Sequence, residues 1–310
     1  MKSTLITLLS LAACTLAPFA RGADESSALS SILVAGDDWQ MVSEGHGFLD
    51  GPTSDSDGNL YFSDLKSKPV GIYKLTPDGT KTTLTEAARS GLKFGPDGRL
   101  YAVGGGKLVV YTLPDMKETV LAEKISTNDL AVNHQGQIYL TETGKKQVTY
   151  VNARTGETKA ADVGISKPNG IAFSPDQTTL YVSDYGGINV WSFSVQPDGS
   201  LTNKKPLMTM KAPEKKPDVA GGDGMICDTA GRAYVTTALG LQIFSANGEL
   251  LGILPKPSTG PLTSVTFAGK NHDYLYLTCG DKLFRRKTQV KGAVAFEAPI
   301  AANGGGATQK

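Results

Sequence analysis

The sequence predicts an all-β fold, a six-bladed β-propeller with four-stranded blades, on three observations. One phrase recurs six times at the length of a blade, further strands keep phase with it, and the last repeat lacks an outer strand that the N-terminal end can supply. The phrase is a turn rich in Asp, Gly or Asn, then a hydrophobic residue, a tyrosine and a small or β-branched run. Its copies include Asp57-Gly58-Asn59-Leu60-Tyr61-Phe62, Asp97-Gly98-Arg99-Leu100-Tyr101-Ala102 and Gln135-Gly136-Gln137-Ile138-Tyr139-Leu140. The tyrosines fall at 61, 101, 139, 181, 234 and 276, in steps of 40, 38, 42, 53 and 42. The long step is absorbed by a polar loop, Lys211-Ala212-Pro213-Glu214-Lys215-Lys216-Pro217.

Each tyrosine is followed by another apolar strand, such as Gly71-Ile72-Tyr73-Lys74-Leu75 or Asn189-Val190-Trp191-Ser192-Phe193. Turns such as Thr76-Pro77-Asp78-Gly79 close several of them, with Pro presetting φ and Gly accepting positive φ. After Gly292 the chain becomes Ala/Gly-rich and offers no outer strand, whereas Trp39-Gln40-Met41-Val42 has the phase of one. We expect that segment to complete blade six and remove the open sheet edge. The expected organisation is a leader at 1–22, a linker at 23–37, the propeller at 38–292 and a low-complexity tail at 293–310. An open β-solenoid would want a shorter repeat.

Composition narrows the partners. Lys+Arg is 31 and Asp+Glu is 30, so the net charge of +1 gives no basic field for nucleic acid or anionic lipid. Lys2, the apolar run Leu5 to Ala13 and Ala20-Arg21-Gly22 read as an export signal, too short to span a bilayer. A periplasmic or secreted protein is expected; acylation of Cys14, after Leu11-Ala12-Ala13, is the alternative. Cys227 and Cys279 remain once a leader is removed. Both sit in apolar strands as expected buried thiols, with a disulfide as the alternative in an oxidising compartment. No Cys-x-x-Cys or His-x-x-x-His spacing supports a thiolate or imidazole metal site.

Counting back eleven residues from the tyrosines gives Asp50, Ser90, Asn128 and Asp223; twelve back, past a longer turn, gives Asn169. In the sixth repeat the register falls on Thr263 or Ser264. Equivalent positions at the start of the innermost strands converge on a propeller axis. Asp50, Asn128, Asn169 and Asp223 then form an oxygen-only, doubly negative set suited to a hard divalent cation, Ca²⁺ first, with Mg²⁺, Mn²⁺ or Zn²⁺ as alternatives. The plainer reading is that Asx residues cap turns beside Gly, as in Asp50-Gly51, Asn169-Gly170 and Asp223-Gly224. Asp129 and Lys167 are candidates for orienting ligands. His46 precedes Asp50 on the site side, as a proton shuttle or a solvated loop histidine. His134 and His272 fall in turns on the opposite face, and Asp64, Glu142 and Asp184 end strands that run towards the site.

The chain resembles the SMP-30/gluconolactonase/LRE-like family over roughly residues 38 to 292. The resemblance is carried by Asp50-Gly51-Pro52, Asn128-Asp129-Leu130, Pro168-Asn169-Gly170-Ile171-Ala172-Phe173-Ser174-Pro175-Asp176, Gly222-Asp223-Gly224-Met225 and Val265-Thr266-Phe267-Ala268-Gly269. It implies a metal-dependent hydrolase acting on a small-molecule sugar lactone. By that resemblance Asp50, Asn128 and Asn169 match ligands, and Asp223 matches the ligand that also activates water. Asp50 is one methylene shorter than the Glu usual before Gly-Pro, and Ser90 and Thr263/Ser264 stand where relatives often carry Asn. The short loop after Glu142 predicts an open pocket mouth. A monomer is expected, and the competing function is a non-catalytic, metal-containing propeller that binds a sugar acid or a protein partner.

Overall fold

A computed structural model describes residues 28–301. The expected leader, including Cys14, lies outside the described residues, as does the end of the tail. The repeats form six antiparallel sheets of four strands, each pairing in chain order except the last. Their innermost strands are Leu49–Ser54, Gly91–Phe94, Leu130–Val132, Pro168–Phe173, Met225–Cys227 and Leu262–Ala268, which number blades one to six. The only helical segments among the described residues are the 3₁₀ turns Leu29–Ser31 and Thr143–Lys145.

The recurring tyrosine has a physical reason. Each lies on the second strand of its blade opposite an innermost-strand residue, as in Thr53↔Tyr61, Lys93↔Tyr101 and Ala131↔Tyr139. All six are buried, so the phenol oxygen needs a partner. In three blades the turn aspartate supplies it: Tyr61 donates to Asp55 at 3.0 Å, Tyr101 to Asp97 at 2.8 Å and Tyr234 to Asp228 at 2.9 Å. Those carboxylates also accept main-chain N–H groups of their own turns. Turn and strand are thereby specified together.

Between blades the contacts are apolar. Ala131, Tyr139 and Val148 of blade three pack on Ile171, Phe173 and Leu180 of blade four, all buried. Complete burial of one such aliphatic or aromatic side chain is worth about 1.5–3 kcal/mol. Cys227 and Cys279 are buried free thiols in two blades of this core.

Closure follows the expectation with a shift of one residue. Gln40–Ser43 forms the outer strand of blade six, pairing Gln40↔Arg285 and Met41↔Phe284. Trp39 instead packs against the core shared by blades five and six, where Leu29, Ile32 and Leu33 are also buried. At the other terminus, residues 292–300 run across the far end of the channel. The Ala293 N–H donates to Cys227 O, Gln177 Nε2 to Ala295 O and Glu297 O, and the Ile300 N–H to Pro175 O. Phe296 meets Phe94 edge-on, with ring centroids 6.5 Å apart. A pocket lined by Lys93, Phe94, Ile171, Phe267 and Phe296 remains between this strap and the innermost strands.

Candidate active site

The site begins with a backbone irregularity. In blade three the Asn128 N–H donates to Thr141 O at 2.8 Å, and the Thr141 N–H donates to Asp129 O at 3.0 Å. Two residues thus oppose one. In blade five Thr236 opposes Asp223 and Gly224 in the same way. The pairing also breaks register between Asp50 and Thr53, Pro168 and Ile171, and Leu262 and Val265. Such bulges re-aim side chains, and here they fall at the positions counted back from five of the six tyrosines, the pairing in blade two running unbroken from Gly91↔Val103. The adjoining glycines are required by close approach. A Cβ on Gly51 would stand 2.7 Å from Ser90 O, and one on Gly170 would stand 2.2 Å from Asp223 O. Gly51 also has φ +56°, open to glycine at little cost.

Hydroxyls lace these positions around the channel. Ser90 Oγ donates to Asn128 O at 2.7 Å, Thr141 Oγ1 to Asn169 O at 2.6 Å and Ser183 Oγ to Asp223 O at 2.8 Å. Thr236 Oγ1 donates to Thr263 O at 3.1 Å, and Thr263 Oγ1 to Leu49 O at 2.8 Å. Five of the six blades fix the height of a residue in the next; in blade one the buried Ser63 hydroxyl makes no such bond. Ser90 and Thr263 therefore spend their hydroxyls on this belt, while Ser264 sits at the glycine position of blade six.

Electrostatics identify the side chains that meet. Burial raises the Asp223 pKa well above the carboxylate range, the charges of Asp50 and Asp129 raise it further, and the Gly224 N–H and Asn169 side chain oppose them. Asp50 is also raised, by burial and by Asp129, against the Gly51 N–H and Lys93. Asp129 is raised by burial and lowered by Lys93 and the Leu130 N–H. Three acidic groups and one ammonium thus share an enclosed volume with excess negative charge. Asn169 can bond to a carboxylate only through its amide N–H, so its carbonyl oxygen is left for another partner.

The donor chemistry fits a divalent cation: carboxylate and amide oxygens, half-buried at Asp50, Asn128 and Asp223 and buried at Asn169, with more carboxylates than cationic groups. Asp50, Asn128, Asn169 and Asp223 are the residues that would hold it, and amides are needed. Among the described residues no group of three or more His, Cys, Asp or Glu side chains is placed to hold a metal by itself.

Of the residues singled out in the sequence, Asp50, Asp129, Asn169 and Asp223 act on one another, and Asn128 occupies the adjoining ring position. Lys167 is exposed at the rim, where its N–H donates to Asp184 Oδ1 and its carbonyl accepts from Tyr185. His46 has both ring nitrogens engaged elsewhere, by Asp64 and Ser43. Asp64, Glu142 and Asp184 each collect main-chain N–H groups of the loops on the site face. Sequence reasoning missed Lys93 and the hydroxyl belt. A lysine inside the apolar strand Gly91-Leu92-Lys93-Phe94 was one available signal. A hydroxyl two residues after the tyrosines at 139, 181 and 234 (Thr141, Ser183, Thr236) was the other.

A family model described as the SMP-30/gluconolactonase/LRE-like region matches residues 48–281. A gluconolactonase of Zymomonas mobilis is 27% identical over 250 residues, covering 73% of this chain and 69% of that protein. A pentonolactonase of Haloferax volcanii is 22% identical over 229 residues, covering 71% and 76%. Among solved structures, a gluconolactonase from Xanthomonas campestris superposes with TM-score 0.73 at 23% identity, over 85% of this chain and 93% of that one. The calcium-binding protein regucalcin from Agrobacterium tumefaciens gives 0.70 at 18% identity, over 84% and 97%. The last two likenesses are of fold.

Proposed function

The chain belongs to the SMP-30/gluconolactonase/LRE-like family, and from that premise we propose that it is a lactone hydrolase, a carboxylic ester hydrolase opening a sugar lactone at the ring of Asp50, Asn128, Asn169 and Asp223. The observation that carries this reading is that hydroxyls of neighbouring blades hold Asn128, Asn169 and Asp223 by their main-chain carbonyls around one level of the channel, with Asp50 near enough to raise the Asp223 pKa. The lactonase names of the sequence relatives agree with it.

A divalent cation, Ca²⁺ by preference, supplies Lewis-acid polarisation of the lactone carbonyl when bound. The chain's own residues do the rest. Asp223 takes the proton of the attacking water as its oxygen bonds to the carbonyl carbon, then returns that proton to the departing ring oxygen as the C–O bond breaks. Asn169 orients the Asp223 carboxylate through its N–H. Asp129 and Lys93 set the charge below the ring, and Lys167 stands at the rim where substrate would enter.

Export to the periplasm or beyond, with cleavage after the leader at 1–22, belongs to the same proposal, as does a monomeric propeller. No described helix is long and apolar enough to cross a membrane. The test is a hydrolysis screen over aldonolactones with added divalent metals, using Asp223→Asn as the control. Turnover by the parent protein that this variant loses supports the reading. A protein that binds Ca²⁺ and an aldonate but turns over no lactone is the non-catalytic propeller instead.

A further inference from the structure

Away from the ring, Ser43, His46 and Asp64 form a line of hydrogen bonds. Ser43 Oγ lies 2.8 Å from His46 Nε2, and His46 Nδ1 lies 3.1 Å from Asp64 Oδ2. The protons can be assigned. Asp64 is buried and accepts the Ser67 hydroxyl and the N–H groups of Gly47, Lys66 and Phe48, which overcome burial and hold its pKa far below the usual carboxylate range. An ionised carboxylate only accepts, so Nδ1 carries the hydrogen and Nε2 presents its lone pair to Ser43. Burial and the charge of Lys81 lower the His46 pKa against the pull of Asp64, which keeps the imidazole unprotonated at neutral pH. Phe62 and Tyr73 meet the imidazole edge-on, each with its ring centroid 5.6 Å away, and fix its plane. Lys81 Nζ donates to Ser43 Oγ at 3.2 Å.

The fold does not need this arrangement. Glu142 and Asp184 stand at the same position after their tyrosines and organise their loops without a histidine. In blade one the carboxylate has acquired a base and a hydroxyl. Ser43 is half-buried at the end of the outer strand of blade six, just past a bulge.

From this geometry we infer a second, metal-independent hydrolytic site, in which Ser43 is the nucleophile, His46 the general base and Asp64 the group that orients it, acting on small, exposed carboxylic esters. Ser43 Oγ attacks the ester carbon as its proton passes to His46 Nε2, with Lys81 supplying positive charge for the developing oxyanion. His46 returns the proton to the leaving alcohol. Water, deprotonated by His46, then releases the acid and restores Ser43, so atoms and charge balance.

The test uses full-length Asp223→Asn protein, in which the ring's proposed base is removed while the metal is retained. It is treated with a fluorophosphonate probe and assayed with p-nitrophenyl acetate. The adduct should map to Ser43 by peptide mass spectrometry, and esterase turnover should survive chelator. Adding Ser43→Ala should abolish the adduct and lower turnover by at least about 10²-fold, the scale of losing a positioned base–nucleophile pair. His46→Gln should lower both, but Ser43→Ala carries the test alone, since a half-buried strand-end serine can be truncated without emptying a core site. In the otherwise unaltered protein, Ser43→Ala should leave aldonolactone turnover unchanged. Absence of a Ser43 adduct, or ester turnover equal with and without the Ser43 hydroxyl, overturns the inference and leaves a structural clasp.

Discussion

Thr141 Oγ1 donates to the main-chain carbonyl of Asn169 at 2.6 Å, so a side chain of blade three sets the position of a ring residue in blade four. Thr141 also opposes the bulge at Asn128 and Asp129 and accepts the Asp129 N–H through its hydroxyl. One residue therefore ties three candidate site positions together. Thr141→Val keeps the shape and leaves a buried carbonyl unpaired, at a cost of about 1–3 kcal/mol. We expect a lower urea midpoint together with weaker divalent-cation binding. Thr149→Val is the control: its hydroxyl is buried on Glu142, away from the ring, so stability should fall and metal affinity should hold. Equal effects on affinity would mean that the belt supports the fold and not the site.

Lys93 sets a different balance. Its charge opposes the raised pKa values of Asp50 and Asp129, and it is the ammonium that acts on both. Lys93→Met removes the charge and keeps the apolar stem's volume. The ring should then attract a divalent cation more strongly, by at least about tenfold in Kd, because even about 20 Å from a divalent ion a unit charge is worth about 1.4 kcal/mol or more at an effective dielectric near 20. A ligand that binds only the native state raises Tm with concentration, so the Ca²⁺-dependent rise should begin at lower Ca²⁺ in the variant. Unchanged Ca²⁺ titrations would separate Lys93 from the site.

Glu142 carries a pH prediction. Burial raises its pKa, but Lys145, the Thr149 hydroxyl and the Ser126 N–H outweigh it and leave the pKa below the ordinary value of 4.5. A folded-state pKa held below the unfolded one contributes stability at neutral pH, which is lost as pH falls through 4.5 towards the lowered value. The difference in unfolding free energy between parent and Glu142→Gln should be about 1.5–3 kcal/mol at pH 7, the range for a hydrogen bond to a charged group. It should shrink steadily below pH 4.5. A difference independent of pH would assign the loss to packing.

The blades were legible because the cause of their repetition lies within short segments: a turn aspartate and a tyrosine four or six residues apart that must satisfy each other when buried. Closure was legible because a missing strand leaves an open edge. Trp39 was placed one residue too far into the strand, since its packing on blades five and six is a tertiary contact. The ring positions followed from register alone. Lys93 did not, because its influence on Asp50 and Asp129 depends on three blades meeting at the axis. The alignment of Ser43, His46 and Asp64 was equally hidden, because it joins the outer strand of blade six to the second strand of blade one. Residues 293–300 read as low complexity, yet they are held by main-chain bonds, which small residues permit and composition does not reveal.

Asp50 and Asp223 divide the labour of the proposed hydrolysis. Asp50 accepts the N–H of the glycine that follows it, whereas the Gly224 N–H after Asp223 donates to Thr263 O, and burial and neighbouring charge raise the pKa of both carboxyls. The difference lies in their neighbours: Asp223 is oriented by the Asn169 amide, whereas Asp50 is opposed by Lys93. Asp50→Glu adds one methylene at unchanged charge and should leave Ca²⁺ affinity equal or improved, because the carboxylate reaches further into the ring. Asp223→Asn keeps an oxygen donor and removes the base, so affinity should fall modestly while kcat drops by about 10²–10⁴-fold, the usual worth of general-base catalysis. The measurement is kcat beside metal Kd for both variants, at saturating metal, on the aldonolactone that the parent turns over fastest. A drop confined to Kd would make Asp223 a ligand only and move the base elsewhere in the ring. Asp129 would then be the next residue to replace, since its carboxylate acts on both Asp50 and Asp223.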